Sequence, residues 1–521
     1  MNKPLLTTGG IHGIDQGDSE PNAAAAAAAA TAAGPPPTFC TTGHSSSAFI
    51  FVCMLFYCIN WVESDLMGAF IRSTIRCANT TNNATVYPPH TPEWSGSVHC
   101  HNKHIVLQES THIQGTVTVI NRLLSILASV VLGPCSDTKG RKRFMVLSFF
   151  GYFLCCALLY THALATTGAG AAGTEKTPNT NGGELILFLA IGCSSAFSTF
   201  PVASQSMAAD VTKDSEARRG YIFTWLAMGK GLGTLVGFSG GFFVLKMCLT
   251  NYENVWFIFT VVCLIAIFLA QFLLVETLET TKKNVVVEQL ADFVEDETAG
   301  MYIDVAGIDE IPSTGCAALL RGCSLIVHDR FLFVFIFSTF VGVVGIYGTV
   351  LVVSSFLLGR GKGWVYSQAT ASLAGVFLPV AAIGGYLFAG LTMDHLGSKG
   401  VNMLGKFVIC LGLSVLGFFA HKSPAWYWVG WEIFGLGFGM VTPTEGAVVS
   451  VRVHNRDQGK VLTILLVVLS LGVAAGAYIW SSKLYDSGCV GSACGVPFLW
   501  SAGVVFVSNM IFAAGWWVYE R

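Results

Sequence analysis

The chain has 521 residues, of which 53% are hydrophobic and only 12% charged, and its formal net charge is −2. A soluble globular protein carries about 25% charged residues, so roughly half the charge of such a surface is missing. A soluble enzyme, a disordered scaffold and a nucleic-acid binder are excluded at this level, and the near-neutral balance implies no polyanionic partner.

Residues 1–45 hold an alanine run at 23–30 and then Gly34-Pro35-Pro36-Pro37. Polar and proline-broken, this segment buries too little surface to fold and reads as a disordered cytoplasmic tail. It lacks a basic segment directly ahead of an apolar one, so the first membrane helix is expected to act as an uncleaved signal. Apolar segments follow at 47–70, 113–134, 143–166, 183–209, 220–246 and 255–275, and resume at 330–358, 368–392, 400–420, 425–450, 459–482 and 497–518. About 20 helical residues cross a hydrocarbon core of about 30 Å, and a helix satisfies its own backbone there. The reading is an all-α membrane protein with twelve transmembrane helices in two six-helix bundles, 46–276 and 329–521, joined by a cytoplasmic linker at 277–328. The 16 cysteines are scattered, many of them inside apolar runs, for example Cys53, Cys155, Cys263 and Cys410. There they act as small hydrophobes rather than as a secreted disulfide framework.

Orientation follows from Lys and Arg in the short loops. The loops after the second, fourth, eighth and tenth helices carry Lys139, Arg141, Lys142, Arg143, Lys213, Arg218, Arg219, Lys399, Arg452, Arg456 and Lys460. The opposite loops carry fewer: Lys176, Lys246, Arg360, Lys362, Lys422 and Lys483. The richer side is expected to be cytoplasmic, with both termini inside. The first loop, assigned outside, holds two glycosylation sequons, at Asn79 and Asn83, and also Cys77 and Cys100; the last outer loop holds Cys489 and Cys494. An oxidising space makes 77–100 and 489–494 candidate disulfides, with free or differently paired thiols the alternative.

Between the second and third helices stands Gly133-Pro-Cys-Ser-Asp137-Thr-Lys-Gly140-Arg141-Lys142-Arg143. Gly133 permits close helix approach and Gly140 a tight turn. Asp137 suits the positive end of a neighbouring helix, and Arg141 can bridge to a carboxylate. The pattern recurs as Gly390-Leu-Thr-Met-Asp394-His-Leu-Gly397-Ser398-Lys399 with one basic position lost, a weak internal duplication expected of a two-halved transporter. G-x-x-x-D-x-x-G-R-K resembles the signature of the major facilitator superfamily. That resemblance implies that Arg141 pairs with Asp210 at the inner end of the fourth helix and that Asp137 meets the start of the eleventh near Gly459. Together they would latch the cytoplasmic gate.

The first half further resembles the solute carrier 46 family, which includes the proton-coupled folate transporter. The resemblance runs through the long first loop with its sequons, Gly133–Arg143, Ala209-Asp210-Val211, a fifth helix ending Gly240-Gly241, and Val275-Glu276-Thr277. It implies a proton-linked importer of organic anions such as folates, pterins or modified glycans, at the plasma membrane or the lysosome. Where the family's folate carriers place an acid in the fifth helix, this chain reads Trp225-Leu226-Ala227 and offers Lys230.

An ionisable group at mid-bilayer costs about 3 kcal/mol or more and marks a partner or a watery cavity. Six fall inside the predicted helices: Glu63, Asp65, Arg122, Lys230, Glu432 and Glu445. At about 1.5 Å per residue, Arg122 and Lys230 lie near the midplane, Glu63 and Glu432 towards the outer side and Glu445 near the inner end. Asp65 reads as an outer-end residue in water. Two midplane cations suit a small anionic substrate, and Glu432 or Glu445 is the carboxylate expected to carry a coupled H+. The same charges also read as structural ion pairs, Arg122–Glu63 and Lys230–Glu445. The aromatic run Trp426, Tyr427, Trp428 and Trp431 is expected to form an interfacial belt, while Phe200 and Tyr347 could stack on a planar ring. Asn60, Gln205 and Ser206 could line a cavity, and Gly229, Gly231, Gly233, Gly435, Gly437 and Gly439 read as helix-packing sites.

No metal cluster, nucleophile triad or nucleotide loop stands in the sequence, so no cofactor, metal or enzymatic activity is expected. The function read is an alternating-access secondary transporter importing a small organic anion with protons across the lipid bilayer. A proton/drug antiporter is the alternative, and a transport-inactive receptor or scaffold is the alternative of another class.

Overall fold

A computed structural model describes residues 43–74, 77–78, 85–86, 103–171, 180–211, 216–243, 252–276, 316–359, 364, 366, 368–453, 455–486 and 488–520. The side chains of Asp65, Gly133, Asp137, Asp210 and Asp394 are not among those described, and most of the predicted tail and residues 277–315 of the predicted linker lie outside. Among the described residues, thirteen α-helices follow in order: α1 Gly43–Thr74, α2 Lys103–Lys139, α3 Arg141–Ala171, α4 Thr180–Ala196, α5 Phe200–Val211, α6 Glu216–Phe243, α7 Tyr252–Leu273, α8 Cys316–His328, α9 Arg330–Leu358, α10 Gln368–Phe419, α11 Pro424–Arg452, α12 Asn455–Ile479 and α13 Val496–Glu520. A two-residue antiparallel pair, β1 Cys77–Ala78 with β2 Thr85–Val86, lies between α1 and α2 in the chain.

Among the described residues, eight helices are long and apolar enough to cross a membrane, and Ser47–Glu63 forms a shorter apolar stretch. Their outward faces are those of a bilayer protein. α7 exposes Phe257, Ile258, Val261, Leu264, Ile265, Phe268 and Phe272, the last 81% accessible, an apolar face that water would not tolerate.

Three elements depart from the predicted spans. The fourth, 183–209, is two helices, α4 and α5, broken at 197–199. Pro201 has no N–H for the carbonyl of Phe197, and the Ser148 hydroxyl of α3 donates to that carbonyl at 2.8 Å instead. The eighth and ninth spans run on as α10, whose helical backbone breaks at Gly397, with φ 68° and ψ 164°. The linker is helical at its end: α8 packs on α12 so closely that a Cβ on Gly322 would come within 2.6 Å of Ile464.

Small residues bring the helices together. In α6 a Cβ on Gly233 or Gly237 would strike the carbonyl of Met54 or Cys58 in α1, and in α12 one on Gly476 would strike that of Val344 in α9. The fifth and eleventh spans thus use the same device against the first and seventh, a structural echo of the duplicated loops. Across the two halves, α6 faces α10 at Phe238–Gly375, Gly231–Tyr386 and Thr224–Gly390, and α2 faces the end of α12 at Gly115–Ala477. Near the other end of α2 from the Gly133–Arg143 motif, the buried hydroxyls of Thr111 and Ser355 meet at 2.5 Å.

Candidate functional site

The intramembrane charges converge between the halves. Lys230 of α6 sits with its ammonium 5.4 Å from the centre of the Tyr57 ring of α1, a cation–π contact. It is within electrostatic reach of Arg122 on α2 and Glu445 on α11. Arg122 in turn acts on Glu63, Tyr57 and Tyr347. Glu63 is 7% exposed and accepts from the Cys155 thiol at 3.6 Å. These four charged residues therefore form one set contributed by α1, α2, α6 and α11. Glu432, one helix with Glu445 but nearly four turns away, lies beside Tyr427; among the described residues neither Lys230 nor Arg122 acts on it.

A fifth charge joins the set. Lys406 of α10 is 2% exposed, donates to the Ser338 hydroxyl at 2.8 Å, lies 5.2 Å from the Phe512 ring centre and reaches Glu445 electrostatically. Lys406 is absent from the charges expected inside the helices, although, like Lys230, it is a lysine inside an apolar span, here 400–420.

The aromatic expectations need correction. Trp426 is exposed, but Tyr427 and Trp431 are buried in the core. The Trp431 indole donates to the Ala374 carbonyl at 2.8 Å and the Trp428 indole to the Tyr366 hydroxyl at 3.0 Å. This run is a packing seam of α11 and not an interfacial belt. Phe200 is stacked on Phe56 at 3.9 Å and fully buried, so it is core and presents no face to a substrate. Tyr347, against Phe438, remains beside the charges. Asn60 accepts from the Tyr152 hydroxyl, and the buried Gln205 side-chain carbonyl has no hydrogen-bond partner among the described residues.

The Gly133–Arg143 motif closes α2 and opens α3. Gly140 has φ +99°, and a Cβ there would lie 2.5 Å from Glu276 Oε2. Both features demand glycine. The Glu276 carboxylate accepts from the backbone N–H of Arg141 at 2.9 Å and of Lys142 at 3.1 Å, capping the N-terminus of α3 where anions are favoured. In the sequence Glu276 stands only as the exit of the sixth predicted helix, and nothing local marks this capping role. Arg141 is 7% exposed; its expected pairing with Asp210, and that of Asp137 with the start of the eleventh helix, fall on side chains outside the described ones. In the second copy Gly390 stands against Thr224, and Gly397 makes the turn with open space around it. There Asp329 caps α9 by accepting from Leu332 N–H at 3.1 Å and pairs with Arg452 at 3.1 Å.

Cys489 and Cys494 are joined as a disulfide, whereas Cys53, Cys155, Cys156, Cys263 and Cys410 are free. Cys100, Asn79 and Asn83 lie outside the described residues, as does the side chain of Cys77. Among the described residues no group of three His, Cys, Asp or Glu is placed to hold a metal ion.

This architecture is that of a multi-pass membrane transporter. The family model of the Major Facilitator Superfamily matches residues 74–477, and the chain belongs to that superfamily. Among solved structures it is similar in fold to the human organic anion transporter MFSD10 (TETRAN), at 14% identity and a TM-score of 0.63 over 92% of this chain and 100% of that one. It is similar also to the xylose transporter XylE from E. coli in a partially occluded inward-open conformation, at 12% identity and a TM-score of 0.60 over 92% and 97%. A bacterial homologue of the iron transporter ferroportin, outward-facing, matches at 11% identity and a TM-score of 0.57 over 90% and 98%. No curated protein matches the sequence.

Proposed function

We propose that this chain is an alternating-access transporter that imports a small organic anion together with protons, as a relative of the solute carrier 46 family. One observation carries the reading: Lys230, seated against Tyr57, is within electrostatic reach of both Arg122 and Glu445, the latter from the opposite half. Two cations within reach of each other in an apolar seam are costly unless an anion neutralises them. A substrate that supplies that anion binds where both halves can sense it. Glu445 then serves as the carboxylate that carries the proton, since it alone of the two glutamates on α11 belongs to the charged set. Glu63 steadies Arg122 from α1. The human neighbour described as an organic anion transporter is consistent with this class. We place both termini in the cytoplasm and the protein at the plasma membrane, with the lysosomal membrane the other site this family type uses.

The test is uptake of labelled folates, pterins and glycan fragments into cells expressing the chain, in acidic and neutral medium. The expected result is acid-stimulated uptake of one anion, abolished in Lys230→Ala and in Glu445→Gln at matched surface abundance. Absence of uptake of every probe by protein shown at the surface would sink this substrate class and favour the antiporter reading.

A further inference from the structure

Among the described residues, Lys406 is the one side chain ordinarily charged at neutral pH in the group of largest fully buried residues, and burial of an ammonium is sustained only by a partner. Its hydrogen bond to Ser338 and its place over the Phe512 ring are neutral contacts. The surrounding hydroxyls are already engaged: Ser338 donates to the Ser508 carbonyl at 2.9 Å, and Ser508 to the Ser338 carbonyl at 2.7 Å. The opposite charge in reach is Glu445.

The geometry of α10 and α11 brings these two together. One turn before Lys406, Asn402 donates to the Thr444 hydroxyl at 2.9 Å, and Thr444 precedes Glu445. The helices touch between these points, since a Cβ on Gly405 would come within 2.8 Å of Val441. On the other side of Glu445, Gly446 faces Phe223 of α6, at 3.4 Å from the position of a Cβ. Phe223 lies two turns from Lys230 on the same helix face. Glu445 thus occupies a seam with one lysine in its own half and one across the interface. The other groups facing this set are Tyr347 of α9 beside Glu445, Cys410 beside Lys406, and Tyr57 of α1 and Arg122 of α2 beside Lys230.

We propose that Lys406 is a positioning residue for coupling: it neutralises the Glu445 carboxylate within its own bundle once the proton has left, so that Glu445 can part from Lys230 when the halves separate. This rests on the proton-linked transport proposed above. On the loaded journey Glu445 is neutral and the substrate anion occupies the cations. After release the carboxyl gives its proton to water, and the empty carrier returns carrying a charge that would otherwise be alone in one bundle. Exchange of substrate for substrate involves only the loaded journey and does not need Lys406. Net uptake needs it in every cycle.

The experiment compares wild type, Lys406→Gln, Lys406→Arg and the double variant Lys406→Gln/Glu445→Gln in full-length protein at matched surface abundance. Net acid-stimulated uptake and exchange against preloaded unlabelled substrate are measured for the folate, pterin or glycan probe that wild type carries best. The expected result is a loss of about tenfold in net uptake for Lys406→Gln, exchange within about twofold of wild type, and recovery of net uptake in Lys406→Arg. In purified protein, the melting temperature falls in Lys406→Gln and recovers in the double variant, because the lone buried charge has been removed. If Lys406→Gln does not reach the surface, its folding is read instead: recovery of surface abundance in the double variant supports the pairing of Lys406 with Glu445, and a double variant equally absent from the surface overturns it. Loss of exchange and net uptake together, no loss of either, or a double variant less stable than both single ones overturns it. Wild type that neither takes up nor exchanges any probe overturns the anion-import reading, and the proposal with it.

Discussion

Gly140 and Gly397 occupy the same place in the two copies of the loop motif and are required for different reasons. Both hold positive φ, at +99° and +68°. Around Gly397 nothing lies within 4 Å of an added Cβ, while at Gly140 the Glu276 carboxylate already fills the space. Gly397→Ala is therefore expected to cost only backbone strain, about 1–3 kcal/mol. Gly140→Ala adds the displacement of the cap on α3, worth about 1 kcal/mol more. Thermal unfolding of the two purified variants checks this, and a smaller shift for Gly140→Ala than for Gly397→Ala would contradict it. At this scale the sequence was informative about which residues are unusual. An ionisable group in an apolar run and a glycine at a fixed offset are visible without coordinates. Their partners were less so: Glu276 lies 135 residues from Arg141, and no local pattern links the two.

At the level of helices, hydropathy located the spans because each must bury or face lipid along its whole length. It did not foresee the break at 197–199 or the helix Cys316–His328. Pro201 flagged the first, but whether a proline kinks or divides a helix depends on who satisfies the freed carbonyl, here Ser148. The short helix α8 is stable where it lies because α12 takes up its buried face at Gly322. The long connection between α1 and α2 carries the topology argument. If that loop is outside, as proposed, enzymatic deglycosylation sharpens and speeds the band of the wild-type chain on a gel and leaves Asn79→Gln/Asn83→Gln unchanged. A wild-type band that does not move would place the loop inside or leave the sequons unused, against the proposed orientation.

For the molecule as a whole, the working contacts are those between halves, where α6 meets α10 and α2 meets α12. A transport cycle must break and remake contacts at one end while the other end is held. We expect Asp137→Asn to leave surface abundance near wild type and to slow uptake by several-fold, because the proposed latch joins α2 to the start of the eleventh helix without bearing on the packed core. Surface-normalised uptake equal to wild type would remove the latch from the mechanism. Composition, span lengths and the repeated glycine–aspartate loop were enough to define a two-halved membrane transporter, since the bilayer imposes length and apolarity on each helix independently. Which charges share a site was decided by packing. Glu432 and Glu445 look alike along the chain, yet thirteen residues of helix rotation and rise place one beside Tyr427 and the other between Lys230 and Lys406. Tyr427, Trp428 and Trp431 pack inward because α10 and its approach segment cover them, while Trp426 stays exposed. Local sequence records the cost of placing a group in the membrane, but only the tertiary fold supplies the neighbour that offsets that cost.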